Sequence, residues 1–133
     1  MKKIILTVLV VLTAFFAADI LIATPANAKS QDKNAKLIAQ GKKLFFSKSV
    51  GTNGFSCATC HVYSAGTYIN LHGRGMVIRP VKNAAKSIAA FNKIHHTHLT
   101  VGEKDEMCVR FALKGRISKT KLDALNAYVD SLK

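Results

Sequence analysis

One run of five residues, Cys57-Ala58-Thr59-Cys60-His61, constrains this chain more than any other feature of its sequence. Two thiols separated by two residues, followed at once by an imidazole, have two chemical interpretations. The first is a redox-active dithiol, which normally begins a helix within a βαβ unit. The second is a covalent attachment site for haem c.

Haem attachment is the interpretation that the surrounding sequence favours. Two thiols at this spacing can reach the two vinyl groups on one side of a porphyrin, and His61 then lies beneath the iron as an axial ligand. No strand pattern flanks residues 57–60, as a βαβ dithiol would require. The sequence therefore predicts one haem c, held by thioether bonds at Cys57 and Cys60, with His61 as proximal ligand.

The N-terminus has the three parts of a secretory signal. Lys2 and Lys3 precede an apolar stretch, and an A-x-A cleavage site follows it. We predict a signal peptide over residues 1–28 and one exported domain over residues 29–133, in the periplasm or an equivalent compartment. A retained membrane anchor is the alternative, but Asp19 interrupts the apolar run, so we expect no stable membrane insertion after cleavage.

The chain is strongly basic, with 20 Lys and Arg against seven Asp and Glu and a net charge of +13 at pH 7. A basic surface suits an acidic redox partner, because long-range attraction speeds encounter while the complex stays weak. Nucleic acid and anionic lipid are other partners of such a surface, and export with a haem motif argues against nucleic acid. A basic surface that is merely solvated is the remaining alternative.

The spacing of apolar residues predicts an all-α fold. Helices are expected over Asn34–Phe46, with Asp32 or Asn34 as N-cap, over Ala84–Ile94, over Glu103–Lys114 with Gly115 after it, and from Ser118 onward. The glycine-rich segment Tyr63–Lys82 lacks sustained periodicity and is expected to be a loop around the haem.

The first and last helices are expected to pack against each other. The last carries an apolar stripe that needs a partner, formed by Leu122, Leu125, Tyr128, Val129 and Leu132. Gly41 in the first helix would let the two backbones approach closely, with Phe45 opposite Tyr128. This arrangement resembles the crossed terminal helices of class I cytochromes c, which implies a cytochrome c-like fold around one covalently bound haem.

The second axial ligand has several candidates. Cys108 is the cysteine left over after haem attachment, and it shares a helical face with Phe111, Ala112 and Gly115, so it is expected to face the apolar interior. Met76 would make an ordinary His/Met electron carrier. Met107, an open position and any of four histidines complete the set; the histidines are His72, His95, His96 and His98.

Two of these candidates have other interpretations. Cys108 would also suit a small buried hydrophobic position or an intermolecular disulfide. The run His95-His96-x-His98 resembles part of a copper or zinc site, but a surface loop is favoured because no partner ligands are fixed elsewhere.

The segment Glu106–Gly115, followed by the apolar stripe of the last helix, resembles the Cys-ligated haem domains of the SoxA and TsdA thiosulfate-handling cytochromes. That resemblance implies that Cys108 is the distal iron ligand. In size and layout the chain also resembles the small anammox cytochrome pair NaxLS, which has His/Cys haem ligation. This second resemblance implies a second small cytochrome subunit in a heterodimer and an anammoxosome lumen location. Nitric oxide or carbon monoxide is expected as a ligand on chemical grounds, because an iron–thiolate bond that weakens on reduction opens the site to a diatomic molecule.

Three functions are compatible with these features. The favoured one is low-potential electron transfer, diatomic ligand binding, or both, at a haem held by His61 and Cys108, because a thiolate is a soft donor that stabilises ferric iron. An ordinary His/Met cytochrome c is the first alternative. A haem subunit of an enzyme that oxidises a sulfur compound is the second, and enzymatic activity is the least favoured because so short a chain shows no catalytic constellation.

Overall fold

The computed structural model describes residues 25–71 and 73–133, so the predicted signal peptide lies almost wholly outside the described residues. The chain divides into Met1–Gln31 and Asp32–Lys133, and the second unit carries every candidate functional residue considered below. Within the described residues, no helix has both the length and the apolar character needed to cross a bilayer.

Helices dominate the described chain, which confirms the prediction of an all-α class at that level. Four α-helices follow one another: α1 (Pro25–Phe46), α2 (Ala84–His95), α3 (Val101–Met107) and α4 (Lys119–Ser131). Three shorter helices connect them, namely a 3-10 turn at Lys48–Val50 and π-helical segments at Thr59–Tyr63 and Cys108–Ala112.

The first helix begins earlier than expected, so the predicted N-cap at Asp32 or Asn34 is wrong. Within the described residues α1 already covers Pro25–Phe46, so the helix continues ahead of both predicted caps. Asp32 lies inside the helix, where its carboxylate forms a 2.7 Å ion pair with Lys36, one turn later.

A β-hairpin replaces part of the loop that was predicted between Tyr63 and Lys82. Strand β1 (Tyr68–Leu71) pairs antiparallel with β2 (Arg74–Val77), and Gly73 between them adopts φ +78°. The short strands contain too few residues for an alternating pattern to be visible in the sequence. Gly75 also matters locally, since the Tyr68 ring occupies the space that a side chain at position 75 would need.

The two middle helices form close to the predicted positions, and side-chain hydrogen bonds define where α3 begins. Thr100 caps α3 through a reciprocal capping box in which its hydroxyl accepts from the Glu103 N–H and the Glu103 carboxylate accepts from the Thr100 N–H. Ahead of it, the Asn92 amide donates to the Leu99 carbonyl and accepts from the Leu99 N–H and the Thr97 hydroxyl. One side chain thus orders the connection between α2 and α3.

The expected contact between the first and last helices is present. Gly41 is buried against α4, where an added Cβ would collide with the Ala124 carbonyl and the Tyr128 Cβ. Next to this contact the Phe45 and Tyr128 rings meet edge to face, 5.3 Å apart. The core continues from there through other buried residues of α4 and of two further segments: Leu125, Val129, Cys57, Ala58, Val109 and Leu113.

The close approach at Gly41 predicts that replacing this glycine by alanine destabilises the protein, although the same change inside a helix usually stabilises it. Gly41→Ala should raise helix propensity, yet we expect it to lower the free energy of unfolding by about 1–3 kcal/mol, because the new methyl overlaps backbone atoms of α4 that cannot move alone. Denaturant unfolding measures the change. The neighbouring exposed substitution Gln40→Ala should stay within about 0.5 kcal/mol of wild type. A stabilised Gly41→Ala protein would contradict the helix contact.

Candidate functional site

The Cys57–His61 run begins at a local hydrogen-bonded box. The Ser56 hydroxyl accepts from the Thr59 N–H (3.2 Å), and the Thr59 hydroxyl accepts from the Ser56 N–H (3.0 Å). This reciprocal arrangement satisfies N–H groups at the start of a helical turn, which explains why Ser56 is almost fully buried although it is polar. The two residues fix the first turn that carries Cys57.

The run then widens into the π-helical segment Thr59–Tyr63, closed by a Ser64 N–H bond to the Thr59 carbonyl of 3.1 Å. A π-turn places one extra residue in the helical circuit, and single turns of this kind occur often at functional sites. Here the segment contains Cys60 and His61.

The His61 ring is oriented by a backbone carbonyl. Nδ1 lies 2.8 Å from the Arg79 oxygen, directly before Pro80. Because a carbonyl can only accept, Nδ1 carries a proton, and Nε2 is the ring nitrogen left for another partner. A histidine that donates from one nitrogen to a carbonyl while presenting the other is the usual arrangement of a metal-ligating imidazole.

Cys108 opens the other π-helical segment, Cys108–Ala112, in which the Leu113 N–H donates to the Cys108 carbonyl (3.1 Å). The face predicted to point into the interior is wrong in detail. Val109 is the buried residue of this segment and Leu113 directly after it is also buried, whereas Cys108 is half-buried and Phe111 is 59% exposed. The π-turn shifts the side chains relative to regular helical spacing, so Cys108 lies at the edge of the core and Phe111 on an uncovered apolar face.

Hydrogen bonds fasten the loop before the motif onto the end of the Cys108 segment. The Thr52 N–H and hydroxyl donate to the carbonyls of Leu113 (3.0 Å) and Lys114 (2.8 Å), and the Asn53 amide donates to that of Ala112 (2.8 Å). These donors satisfy carbonyls that a helix end leaves unpaired. We call this set of contacts the loop clamp.

Two glycines allow the loop clamp to form. A side chain at Gly51 would collide with the Leu113 backbone, and one at Gly115 would collide with the Val50 carbonyl. The glycines therefore let two backbone segments lie in direct contact, and they bring the residues around the motif and those after Cys108 into one place.

As a result, Cys57, Cys60, His61 and Cys108 converge. The side chains of Cys57 and His61 lie near that of Cys108. Their ability to donate hydrogen bonds, with the charges of His61 and Lys104, lowers the pKa of Cys108 to about 5 despite burial. The proximity of Cys108, together with burial, raises the pKa of Cys57.

The pKa values of two neighbouring groups, His61 and Cys60, are raised as well. The proximity of Cys108, aided by the hydrogen bond to the Arg79 carbonyl, raises the pKa of His61, although burial opposes it. Burial and the charge of Cys108 raise the pKa of Cys60. In the protein without a cofactor, the thiolate form of Cys108 and the charged form of His61 therefore favour each other.

Two residues of the site were missed in the sequence analysis. Asp105 has a buried Oδ2 without a hydrogen-bond partner among the described residues, and burial, with the charges of Cys108 and Asp130, raises its pKa to about 7. Lys104 contributes positive charge to Cys108, while its Nζ lies 4.2 Å from the centre of the Phe91 ring. Their positions three and four residues before Cys108, on the same helical face, were the available signal.

The other proposed ligands among the described residues are exposed side chains. Met76 belongs to β2 and is 48% exposed, and Met107 is 40% exposed. His95, His96 and His98 are exposed, with the His95 ring against Phe91. His72 lies outside the described residues. Within residues 25–71 and 73–133, no three His, Cys, Asp or Glu side chains are arranged to hold a metal ion by themselves.

Several large apolar side chains that neighbour the motif or Cys108 along the chain are exposed: Phe55, Val62, Tyr63, Met107 and Phe111. Each lies within three residues of Cys57, His61 or Cys108. Exposed apolar side chains can mark a surface that accepts an apolar partner or ligand. The site thus combines two thiols that can be alkylated, one presented imidazole nitrogen, one thiol of lowered pKa and exposed apolar residues nearby in the sequence.

Comparison with known proteins adds no identification. The chain matches no family model, no curated protein and no solved structure.

The lowered pKa of Cys108 predicts a thiol ionisation at acidic pH. In the haem-free protein, ultraviolet thiolate absorbance should rise in a step near pH 5, and Cys108→Ser should remove that step while Cys60→Ser keeps it. The unfolded chain still binds this proton up to its ordinary pKa of 9.0, so ionisation makes the free energy of unfolding rise with pH between about 5 and 9. Ionisation of all thiols only near pH 9.0 would contradict the proposed thiolate.

Proposed function

We propose that this chain is an exported monohaem c-type cytochrome whose iron is held by His61 and Cys108, and that it works in low-potential electron transfer, in binding nitric oxide or carbon monoxide, or in both. The observation that carries the proposal is that the Cys57–His61 motif presents an imidazole oriented by the Arg79 carbonyl in the neighbourhood of Cys108, whose pKa is lowered by Cys57 and His61. One covalent attachment motif and two soft or borderline donors then belong to one site.

The donor chemistry fits haem c. Cys57 and Cys60 offer the two thiols needed for thioether bonds, and the Arg79 carbonyl leaves Nε2 of His61 as the nitrogen that would bind iron. Cys108 already favours the thiolate form that a metal requires. The uncovered apolar side chains near these residues would contact the porphyrin faces and edge.

The ligand set also favours a low reduction potential. Haem c supplies one-electron chemistry and a position for small ligands at its iron. A thiolate donor stabilises the ferric state relative to a thioether or an imidazole, and Lys104 offsets part of the negative charge of the sulfur. Weakening of the iron–sulfur bond on reduction would expose a coordination position to nitric oxide or carbon monoxide.

The fold and partners belong to the same proposal. The contact of α1 with α4 at Gly41, and the haem-binding segment between them, support a class I cytochrome c-like fold. The net charge of +13 supports an acidic redox-partner protein, and the uncovered apolar residues leave room for a second small cytochrome subunit. Membrane or nucleic-acid binding is no part of the proposal.

The distal ligand can be tested by spectroscopy of the haem-loaded protein. We expect a low-spin ferric electron paramagnetic resonance spectrum of thiolate character that Cys108→Ala abolishes and Met76→Ala leaves unchanged. Met107→Ala is a closely matched control, because it alters the residue next to Cys108 without touching the thiolate. Loss of the low-spin spectrum in Met76→Ala, with Cys108→Ala unchanged, would establish the ordinary His/Met cytochrome instead.

Replacing the thiolate of Cys108 with a thioether tests electron transfer and ligand binding separately. Cys108→Met should raise the reduction potential by on the order of 0.1–0.3 V, because the neutral donor stabilises ferrous iron. The reduced wild type should show a carbon monoxide difference spectrum that Cys108→Met weakens, since thioether sulfur stays bound to ferrous iron. A wild type that binds neither carbon monoxide nor nitric oxide would remove the ligand-binding half of the proposal.

A further inference from the structure

Asn53 is the only asparagine of this chain that a glycine follows, and its side chain is part of the loop clamp. The backbone nitrogen of a following glycine meets no side-chain hindrance, so an Asn-Gly pair can close on itself to a five-membered succinimide ring. Both residues are exposed, and no described residue beyond the chain neighbours lies within 4 Å of the place that a side chain at Gly54 would take. Crowding at Gly54 therefore does not oppose ring closure.

Two hydrogen bonds hold the Asn53 carboxamide in place. Its Nδ2 donates to the Ala112 carbonyl (2.8 Å), and its Oδ1 accepts from the Phe55 N–H (3.2 Å). The first bond engages the nitrogen that ring closure has to expel, and the second directs the carboxamide oxygen toward residue 55. Ring closure requires the carboxamide carbon to turn toward the Gly54 nitrogen, which both bonds oppose.

We propose that Asn53 is a self-modification site controlled by the loop clamp: while the clamp is open, Asn53 deamidates through a succinimide, and the product prevents the clamp from re-forming in full. The other clamp bonds join Thr52 to the carbonyls of Leu113 (3.0 Å) and Lys114 (2.8 Å). Opening of an exposed loop of this kind is a local event that costs less free energy than global unfolding. The open fraction then sets the rate of modification.

The reaction needs only water as a co-reactant. The Gly54 backbone nitrogen forms a bond to Asn53 Cγ, the Cγ–Nδ2 bond breaks, and the Gly54 N–H proton leaves with Nδ2 as ammonia. Water then adds to one of the two succinimide carbonyls and the ring opens. The products are aspartate or isoaspartate at position 53, and nothing is oxidised or reduced.

Either product removes the donor that position 53 gives to the clamp. A carboxylate only accepts hydrogen bonds, so it cannot donate to the Ala112 carbonyl, and the two groups repel each other. Isoaspartate also lengthens the backbone by a methylene group just before the Ser56–Thr59 box, which begins the Cys57–His61 run. A modified chain therefore holds this run less firmly against the Cys108 segment.

The modification has a consequence for haem loading, an extension that rests on the proposed function. Haem held from both sides, by the Cys57–His61 run and by Cys108, would keep the two halves of the clamp together. The haem-loaded chain should therefore be modified more slowly than the haem-free chain. A chain left without haem would gradually lose the arrangement that receives it.

Peptide mapping by mass spectrometry of the haem-free full-length chain at neutral pH tests the site. We expect aspartate and isoaspartate to form at Asn53 ahead of every other asparagine, about tenfold more slowly in the native chain than in guanidinium chloride. Thr52→Val removes the hydroxyl that donates to Lys114 and should speed native modification about three- to tenfold, the factor that one lost hydrogen bond gives. Thr52→Ser keeps a hydroxyl and is the matched control, expected at the wild-type rate. Rates of each variant in the denaturant correct for intrinsic reactivity.

The consequence of the modification is tested with Asn53→Asp, which imitates one product. The Thr52 N–H donates to the Leu113 carbonyl within the clamp, so its hydrogen exchange should become faster in this variant. Exchange at the wild-type rate would show that the product leaves the clamp intact, which contradicts the proposal.

Three further results would overturn the inference. They are equal rates in the native and denatured wild type, faster modification of another asparagine, and equal native rates for Thr52→Val and Thr52→Ser. The wild-type comparison needs no variant, so it remains decisive if Thr52→Val fails to fold by circular dichroism. Equal rates with and without haem would remove only the extension, because the other measurements use no haem.

Discussion

The loop clamp is the constraint on which the site depends. Nothing in the local structure of the motif brings Cys57 or His61 near residue 108, which follows about fifty residues later on another helix. Three donors from Thr52 and Asn53 reach three successive carbonyls at the end of the Cys108 segment, and two glycines remove the side chains that would keep the backbones apart. The same bonds that terminate one helix therefore position another.

The charges near Cys108 determine what the site can bind. Placing a thiolate in a partly buried position is unfavourable unless compensated, and here Cys57, His61 and Lys104 all favour the charged form of Cys108. An ionised Asp105 would add negative charge beside Cys108, and its raised pKa shows that this region disfavours a further negative charge. A cation that binds sulfur and imidazole, such as the proposed haem iron, would replace several of these partners with one.

Sequence reasoning was most successful where one residue type has one physical use. Gly41 was predicted to permit close helix packing, and its position against Ala124 and Tyr128 confirms this. The prediction of which face of the Cys108 segment is buried was wrong, because a π-turn departs from the regular helical spacing on which that prediction relied. Arg79 could not have been predicted either, since only its carbonyl is used and any residue supplies one.

The distribution of apolar residues connects the fold with the proposed cofactor. The core that the protein builds by itself is small and lies between the terminal helices, with Leu113, Leu125 and Val109 as its largest wholly buried side chains. Phe55 and Phe111, which flank Cys57 and Cys108, remain largely uncovered at the edge of that core. A small domain loses a large share of its stability when apolar side chains stay exposed, because its net stability is a small difference between large terms. An apolar group bound at Cys57, His61 and Cys108 would cover these residues, and it would then act as part of the core as well as the reactive centre.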